Sequence, residues 1–227
     1  SKVDFQSVPS SSCSDAIEDF GKNACVMTPD GYNTFDYTVK VGDVDILFVD
    51  DNSGSMSVEQ SQMGNRFPSL MGSITNLNWQ IGIITTDVSY SPNNTAPRAA
   101  NGNGAFQDGK FLPFDGGDYI LKKTDSDVQG KFNRTIQRPE TAVCDQNGYA
   151  PSLCPSGDER GIYALNLLLD RGDSRFFRPG AHLAVVILSD EDERSNPGAQ
   201  GAGYALQNYD LPATFVSKVA ARLDRKS

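Results

Sequence analysis

Two short apolar runs in this chain end abruptly on acid, and that pairing restricts the fold more than any other feature. Val44-Asp45-Ile46-Leu47-Phe48-Val49 stops at Asp50-Asp51, and the run over residues 182–188 stops at Ser189-Asp190-Glu191-Asp192-Glu193. Apolar segments of this length read as strands buried on both faces, as found in parallel sheets flanked by helices. A third run, Trp79-Gln80-Ile81-Gly82-Ile83-Ile84-Thr85-Thr86, has the same character. Between these runs the periodicity changes. Val58, Met63, Phe67, Leu70, Met71 and Ile74 share one helical face over residues 57–74, where Pro68 predicts a kink or a break.

Residues 125–137 predict a helix capped by Asp125 or Ser126, with Val128, Phe132 and Ile136 spaced four apart. Residues 158–169 predict another, stopped by Gly172, and residues 212–223 a last amphipathic one carrying Phe215, Val216, Val219 and Leu223. Residues 119–122 read as a short edge strand. Residues 88–118 and 141–157 read as loops, with Phe111-Leu112-Pro113-Phe114 as a core-forming knot. Strands alternating with helices predict an α/β fold: a doubly wound, mostly parallel central sheet with helices on both faces. The expected organisation is an N-terminal extension over residues 1–40 and one domain over 41–227. Strands that end in carboxylates bring those carboxylates to the C-terminal edge of the sheet, where ligands of open α/β sheets bind.

A formal charge of −9 argues against nucleic acid and anionic membrane surfaces, both of which need clustered Lys and Arg. It suits cation binding. No apolar run approaches the roughly 20 residues of a membrane-spanning helix. The four cysteines fall as local pairs, Cys13 with Cys25 and Cys144 with Cys154, without the close spacing of a zinc site. Three connectivities are possible, and locality favours these pairs. Two disulfides imply an oxidising setting: secreted, periplasmic or cell-surface. No nucleophile elbow, phosphate loop or dinucleotide fingerprint is present, and the single histidine, His182, lies inside an apolar run. In Arg171-Gly172-Asp173-Ser174, Gly172 reads as a helix stop rather than part of a receptor-recognition string.

The segment richest in chemistry is Asp51-x-Ser53-x-Ser55. Hard divalent cations take oxygen donors at short distance, and a strand that stops at Asp51 can aim one carboxylate and two hydroxyls at one point. Gly54 is expected to let the backbone turn tightly between the serines. Neutral hydroxyls hold a cation without quenching its charge, so it stays able to accept a carboxylate from another molecule.

The string Asp45-Ile46-Leu47-Phe48-Val49-Asp50-Asp51-Asn52-Ser53-Gly54-Ser55-Met56 resembles the first strand and metal-ion-dependent adhesion motif of von Willebrand factor A domains. The order of elements agrees from about residue 41 to 223. The Asp-Asn-Ser-Gly-Ser-Met string, the strand ending Thr85-Thr86-Asp87 and the Ser189-Asp190-Glu191-Asp192 segment resemble secreted bacterial members. The resemblance implies metal ligands Asp51, Ser53 and Ser55, with Asp190 binding directly or through water. The family's loop threonine is replaced: Glu159 occupies its place, with Ser156 and Asp158 as rivals. Glu159 either ligates or only favours the following helix N-terminus. A third carboxylate makes calcium more plausible and attracts a foreign carboxylate less.

Asp50 stands where the family has an apolar residue; it faces a polar pocket or another cation, or sits at the solvated end of its strand, and the last is the favoured expectation. The family continues for two more strands and a helix beyond the element ending near Leu223. The expected function is metal-dependent adhesion: a divalent cation, Mg²⁺ first and Mn²⁺ or Ca²⁺ next, captures an acidic residue of a protein or surface ligand. The alternative is a structural module of an envelope assembly whose cation only fastens loops. A metal-dependent hydrolase ranks third, since no general base stands near either motif.

Overall fold

The computed structural model describes residues 26–27, 33–34, 42–89, 107–150, 153–155, 159–172, 175–191 and 207–223. The chain separates into two units, Ser1–Val41 and Gly42–Ser227. Within the first, β1 (Val26–Met27) pairs antiparallel with β2 (Asn33–Thr34). Cys13 and Cys25 lie outside the described residues.

The second unit is built on a four-stranded sheet of β3 (Asp43–Asp50), β4 (Asn78–Thr85), β5 (Leu121–Lys122) and β6 (His182–Leu188), in the order β5-β4-β3-β6. β3 pairs parallel with β4 from Asp43↔Asn78 to Asp50↔Thr85, and parallel with β6 from Val44↔His182 to Asp50↔Leu188. Only the short β5 runs antiparallel, on the outer side of β4. The fold is α/β with a mostly parallel open sheet.

Side chains alternate across β3. Ile46 and Phe48 join one apolar cluster, with Phe67 of α1 (Ser57–Ser73) and Phe132 and Ile136 of α2 (Val128–Ile136). Phe132 stacks on Phe67 at 3.9 Å between ring centroids and meets Phe48 edge-on at 5.1 Å. Fully burying each such ring contributes about 1.5–3 kcal/mol. Leu47 and Val49 join the other cluster, with Tyr163, Leu165, Leu168 and Leu169 of α4 (Gly161–Arg171); Phe215 and Val219 of α5 (Pro212–Leu223) pack against it. Trp79, Phe111, Leu112 and Phe114 are buried, as core-forming residues should be. Among the described residues no helix is long and apolar enough to cross a membrane.

Several local expectations need correcting. α1 runs unbroken through Pro68, which lies on its exposed side. α2 starts after Asp127, in left-handed conformation at φ 49°, so neither Asp125 nor Ser126 caps it. Asp125 instead accepts the Lys122 N–H and closes the turn after β5. The stretch expected to be loop from residue 141 begins with a helix, α3 (Pro139–Gln146), opened by proline in its first turn. The helix expected over 158–169 runs Gly161–Arg171, with Gly172 at φ 68° as its C-cap.

Buried charge near the start of β3 is matched. Asp45, fully buried, accepts the Arg178 N–H at 2.9 Å and its Nε at 2.8 Å, while the same guanidinium donates to the Val44 and Asn78 carbonyls. That clamp closes the edge of the sheet away from the site.

Candidate metal centre

β3 is flanked on one side by β4 and on the other by β6, so the sheet grows in opposite directions from it. A crevice opens at the C-terminal end of such a strand, and ligands of open α/β sheets bind there. The ladder closes where Asp51 N–H donates to the Leu188 carbonyl at 2.9 Å and Thr86 N–H to the Asp50 carbonyl at 3.1 Å. The chain then turns through Asn52 and Ser53 into a 3-10 turn, Gly54–Met56, that leads into α1.

Asp51 is fully buried in this crevice. Its Oδ1 accepts from the Ser53 N–H at 2.9 Å and the Thr86 hydroxyl at 3.4 Å, and its Oδ2 from the Ser189 hydroxyl at 2.8 Å. The Ser53 and Ser55 hydroxyl oxygens stand 3.3 Å apart. Asp51, Glu159 and Asp190 each offer a carboxylate oxygen, and these three lie within 4.8 Å of one another. Asp51 and Glu159 are buried at the bottom of the group, while Asp190 stands on its exposed side. The distant strand end and the loop before α4 are thus brought to the Asp-x-Ser-x-Ser turn. Ser156, Asp158, Asp192 and Glu193 lie outside the described residues.

Burial pushes the Asp51 carboxyl above its ordinary range, and Asp190 pushes the same way; the Ser53 and Ser189 hydrogen bonds oppose them. Two buried carboxylates at about this separation repel by roughly 3 kcal/mol at the effective dielectric of protein sites. A divalent cation removes that cost. Oxygens on opposite sides of a calcium ion lie about 4.8 Å apart, so the group is small enough to share one cation. The donor set fits a hard divalent ion: carboxylates and hydroxyls, with no sulfur or imidazole.

The wall behind the metal loop is polar, and it overturns the expectation that Asp50 is solvated. Asp50 is fully buried, its Oδ2 facing Gln60 Nε2 at 3.4 Å. Gln60 Nε2 also donates to the Asp51 carbonyl at 2.8 Å and lies 3.2 Å from the Thr141 hydroxyl, while Gln60 Oε1 accepts the Arg138 N–H at 2.9 Å. Thr141 donates to the Asn52 carbonyl at 2.8 Å, and Asn52 Nδ2 to Glu140 Oε1 at 3.2 Å. Burial holds the Asp50 carboxyl well above its ordinary range, with the Arg138 guanidinium pulling the other way. Gln60 comes from α1, while Glu140 and Thr141 come from α3, with Arg138 just before it; no sequence signal announced α3.

Glu159 sits in left-handed backbone at φ 49°, an uncommon state for a residue with a side chain. Its neighbour Arg160 is fully buried and grips Asp210, also fully buried, through Nε and Nη2, each at 3.0 Å from a carboxylate oxygen. The guanidinium lies 3.8 Å over the Tyr163 ring. Asp210 ends a short 3-10 turn, Asn208–Asp210, and accepts the Gln207 N–H.

The rim is shaped by the Cys144–Cys154 disulfide, with a Cα–Cα distance of 4.6 Å. A Cβ on Gly54 would meet Cys144 Sγ at 2.4 Å and the Tyr149 ring at 2.7 Å. Gly54 is therefore needed for close approach; a left-handed turn is not the reason, since its φ is not positive. Asp145 accepts the Ser57 hydroxyl at 2.8 Å, tying α3 to the start of α1. The Thr86 and Ser189 hydroxyls on Asp51 were not anticipated, though both follow directly on strand ends. No protein-family model, curated protein or solved structure matches this chain.

Proposed function

We propose that residues 42–227 form a doubly wound domain of the von Willebrand factor A type that binds a divalent cation and, through it, an acidic group of a partner protein or surface. The observation that carries this reading is the convergence of Asp51, Glu159 and Asp190 within 4.8 Å beside the paired Ser53 and Ser55 hydroxyls, at the switch point of a mostly parallel sheet. Asp51, Ser53, Ser55, Glu159 and Asp190 would hold the ion. A bound cation would supply an electrophilic coordination position in an acidic crevice, which a foreign carboxylate can occupy against the residual negative charge of the three acids. Mg²⁺ is the first expectation from the motif, with Mn²⁺ next; a third carboxylate moves the balance toward Ca²⁺.

The same third carboxylate favours a second reading. Three acids more than neutralise a divalent ion, and in that reading the cation only fastens the β3, α4 and β6 ends in a structural module. We read the domain as binding rather than catalytic, because no histidine stands beside the site to serve as general base. His182 stands at the start of β6, the far end of that strand from Ser189. The Cys144–Cys154 disulfide supports a secreted, periplasmic or cell-surface setting.

Luminescent Tb³⁺ titration, with competition by Ca²⁺, Mg²⁺ and Mn²⁺, tests the site. Saturable binding that is lost in Asp51→Ala supports it, and equal binding by both proteins refutes it. Glutarate or an Asp-containing peptide that binds only the cation-loaded protein favours adhesion. Cation binding without any carboxylate capture favours fastening.

A further inference from the structure

Away from the metal centre, a cavity of about 650 Å³ opens beside α4, lined by Gln107, Gly109, Lys110, Phe111, Pro113, Tyr119, Leu168, Arg171 and Arg175. Its size is within the range of small-molecule sites. The chain builds it by close approach: Gly109, at φ 69°, brings the loop so near α4 that a Cβ would meet the Ala164 carbonyl at 2.4 Å and the Leu168 nitrogen at 2.7 Å. Phe111 and Leu168 give a buried apolar floor, and Tyr119 stands half-exposed beside them. Arg171 is held by its Nε on the Asp108 carbonyl at 2.8 Å, which fixes the guanidinium at the wall.

The charge of the lining is the telling feature. Lys110, Arg171 and Arg175 line this cavity, with no carboxylate among its described lining residues, in a chain that carries 29 acids against 20 bases. An adjoining cavity of about 360 Å³ shares Phe111, Tyr119 and Arg175, and its lining adds Asp118, Asp125 and Lys122. The larger cavity thus offers an apolar, aromatic floor with cations on the α4 side and acids beyond the other side. We propose that it binds a small organic monocarboxylate with a flat apolar body.

The carboxylate pairs with Arg171 and Lys110, the planar guanidinium fork matching its two oxygens. The ring body lies over Phe111 and Tyr119. A second anionic group would point toward Asp118 and Asp125 and is rejected. Arg171 ends the helix that Gly161 begins near the metal centre, ten residues or about 15 Å along α4. The two sites are distinct, and this one needs no cation.

The test uses 2-naphthoate as probe, followed by its fluorescence in EDTA so that the metal centre cannot contribute. Saturable binding below about 1 mM is expected, with affinity reduced about tenfold or more in Arg171→Gln/Lys110→Gln and for the uncharged 2-naphthylmethanol. Unchanged melting temperature in the variant, or in the single Lys110→Gln, separates lost binding from lost folding. Absence of saturation, equal affinity for the alcohol, or equal binding by folded variants overturns the proposal. Tighter, competing binding by a hexaglutamate peptide also overturns it, by assigning the groove to an acidic protein segment.

Discussion

Replacing Arg160 by methionine is expected to unfold this domain more effectively than deleting most of its apolar side chains. Arg160 and Asp210 are both fully buried and meet through two hydrogen bonds of 3.0 Å. Arg160→Met leaves the Asp210 carboxylate in that environment without its guanidinium, and Asp210→Leu leaves the guanidinium without its carboxylate, though still against Gln207 Oε1 at 3.2 Å and over the Tyr163 ring. Breaking a buried pair from one side costs about 3–5 kcal/mol. For a domain of this size that is a fall in Tm of about 6–20 °C. The double variant Arg160→Met/Asp210→Leu strands no charge. It still leaves the Gln207 N–H without its acceptor, at about 1–3 kcal/mol. The double should therefore be more stable than either single, and the coupling in a double-mutant cycle should be about 3 kcal/mol or more. Urea unfolding in EDTA, followed by circular dichroism, measures all four proteins without contribution from a cation. Singles within about 1 kcal/mol of the parent, or a double equal to the sum of the singles, would refute the reasoning. Arg160 also follows Glu159 directly, so Tb³⁺ affinity should fall in Arg160→Met even where the protein remains folded.

Asp51→Asn should raise or leave unchanged the stability in EDTA, because it removes a buried charge that faces Asp190. It should abolish the cation-induced gain, which in the parent is about 2.7 kcal/mol at a hundredfold excess over Kd, or about 5–11 °C in Tm. An Asn variant that melts with the same cation shift as the parent would sink the assignment. Asp50, raised well above its ordinary range by burial, keeps its proton in the folded state at pH values where the unfolded chain has lost it. The stability linked to it is full below the unfolded-state pKa of about 3.9 and is lost as pH rises toward the folded value, at up to about 1.4 kcal/mol per pH unit. Chemical denaturation of Asp50→Asn and parent in EDTA should diverge in the variant's favour with rising pH; a constant difference would contradict this. Gly54→Ala should cost about 1–3 kcal/mol by overpacking, and less in a Cys144→Ala/Cys154→Ala background, where Sγ no longer crowds it. An equal cost in both backgrounds would show that the disulfide is not what Gly54 accommodates.

The strands were legible because their signal is local. Residues 182–188 and 212–223 fall at the observed bounds of β6 and α5, but the apolar run of β6 does not mark a strand buried on both faces: β6 lies at the edge of the described sheet, its residues are only half-buried or exposed, and Ile187 is 47% exposed. The meeting of Asp51 and Asp190 was also readable, because parallel strands that both end in acid deliver it to one edge. α3 was not readable. Pro139-Glu140-Thr141-Ala142-Val143-Cys144-Asp145-Gln146 has little apolar stripe, and the helix is fastened by Glu140, Thr141 and the disulfide rather than by an apolar face. Asp50 was misread for the same reason. Its surroundings come from residues 60, 138 and 140, and tertiary partners decide whether a strand-end carboxylate is wet or dry. The Arg160–Asp210 pair spans fifty positions and leaves no trace in local pattern.

The site's separate anchors bear on which cation it prefers and what else it can hold. The Asp51–Ser55 turn is fixed from behind by Gln60 and Thr141, and from the side by Cys144 packed against Gly54. Glu159 is fixed through its neighbour's grip on Asp210, and the start of the β6 loop by Ser189 on Asp51. Each oxygen-bearing segment is thus held by hydrogen bonds or packing within the protein. Preorganisation of this kind lowers the cost of assembling the donors, and it leaves the carboxylate count to set the charge. With Asp51, Glu159 and Asp190 all ionised, a divalent cation leaves the centre at net −1, and an incoming carboxylate meets repulsion. Glu159→Thr removes one of those charges and, on this argument, should weaken cation affinity while strengthening cation-dependent capture of glutarate. Opposite movement of the two affinities is the signature of charge neutralisation at the metal, and a parallel loss of both would mean that Glu159 acts on the loop's shape instead.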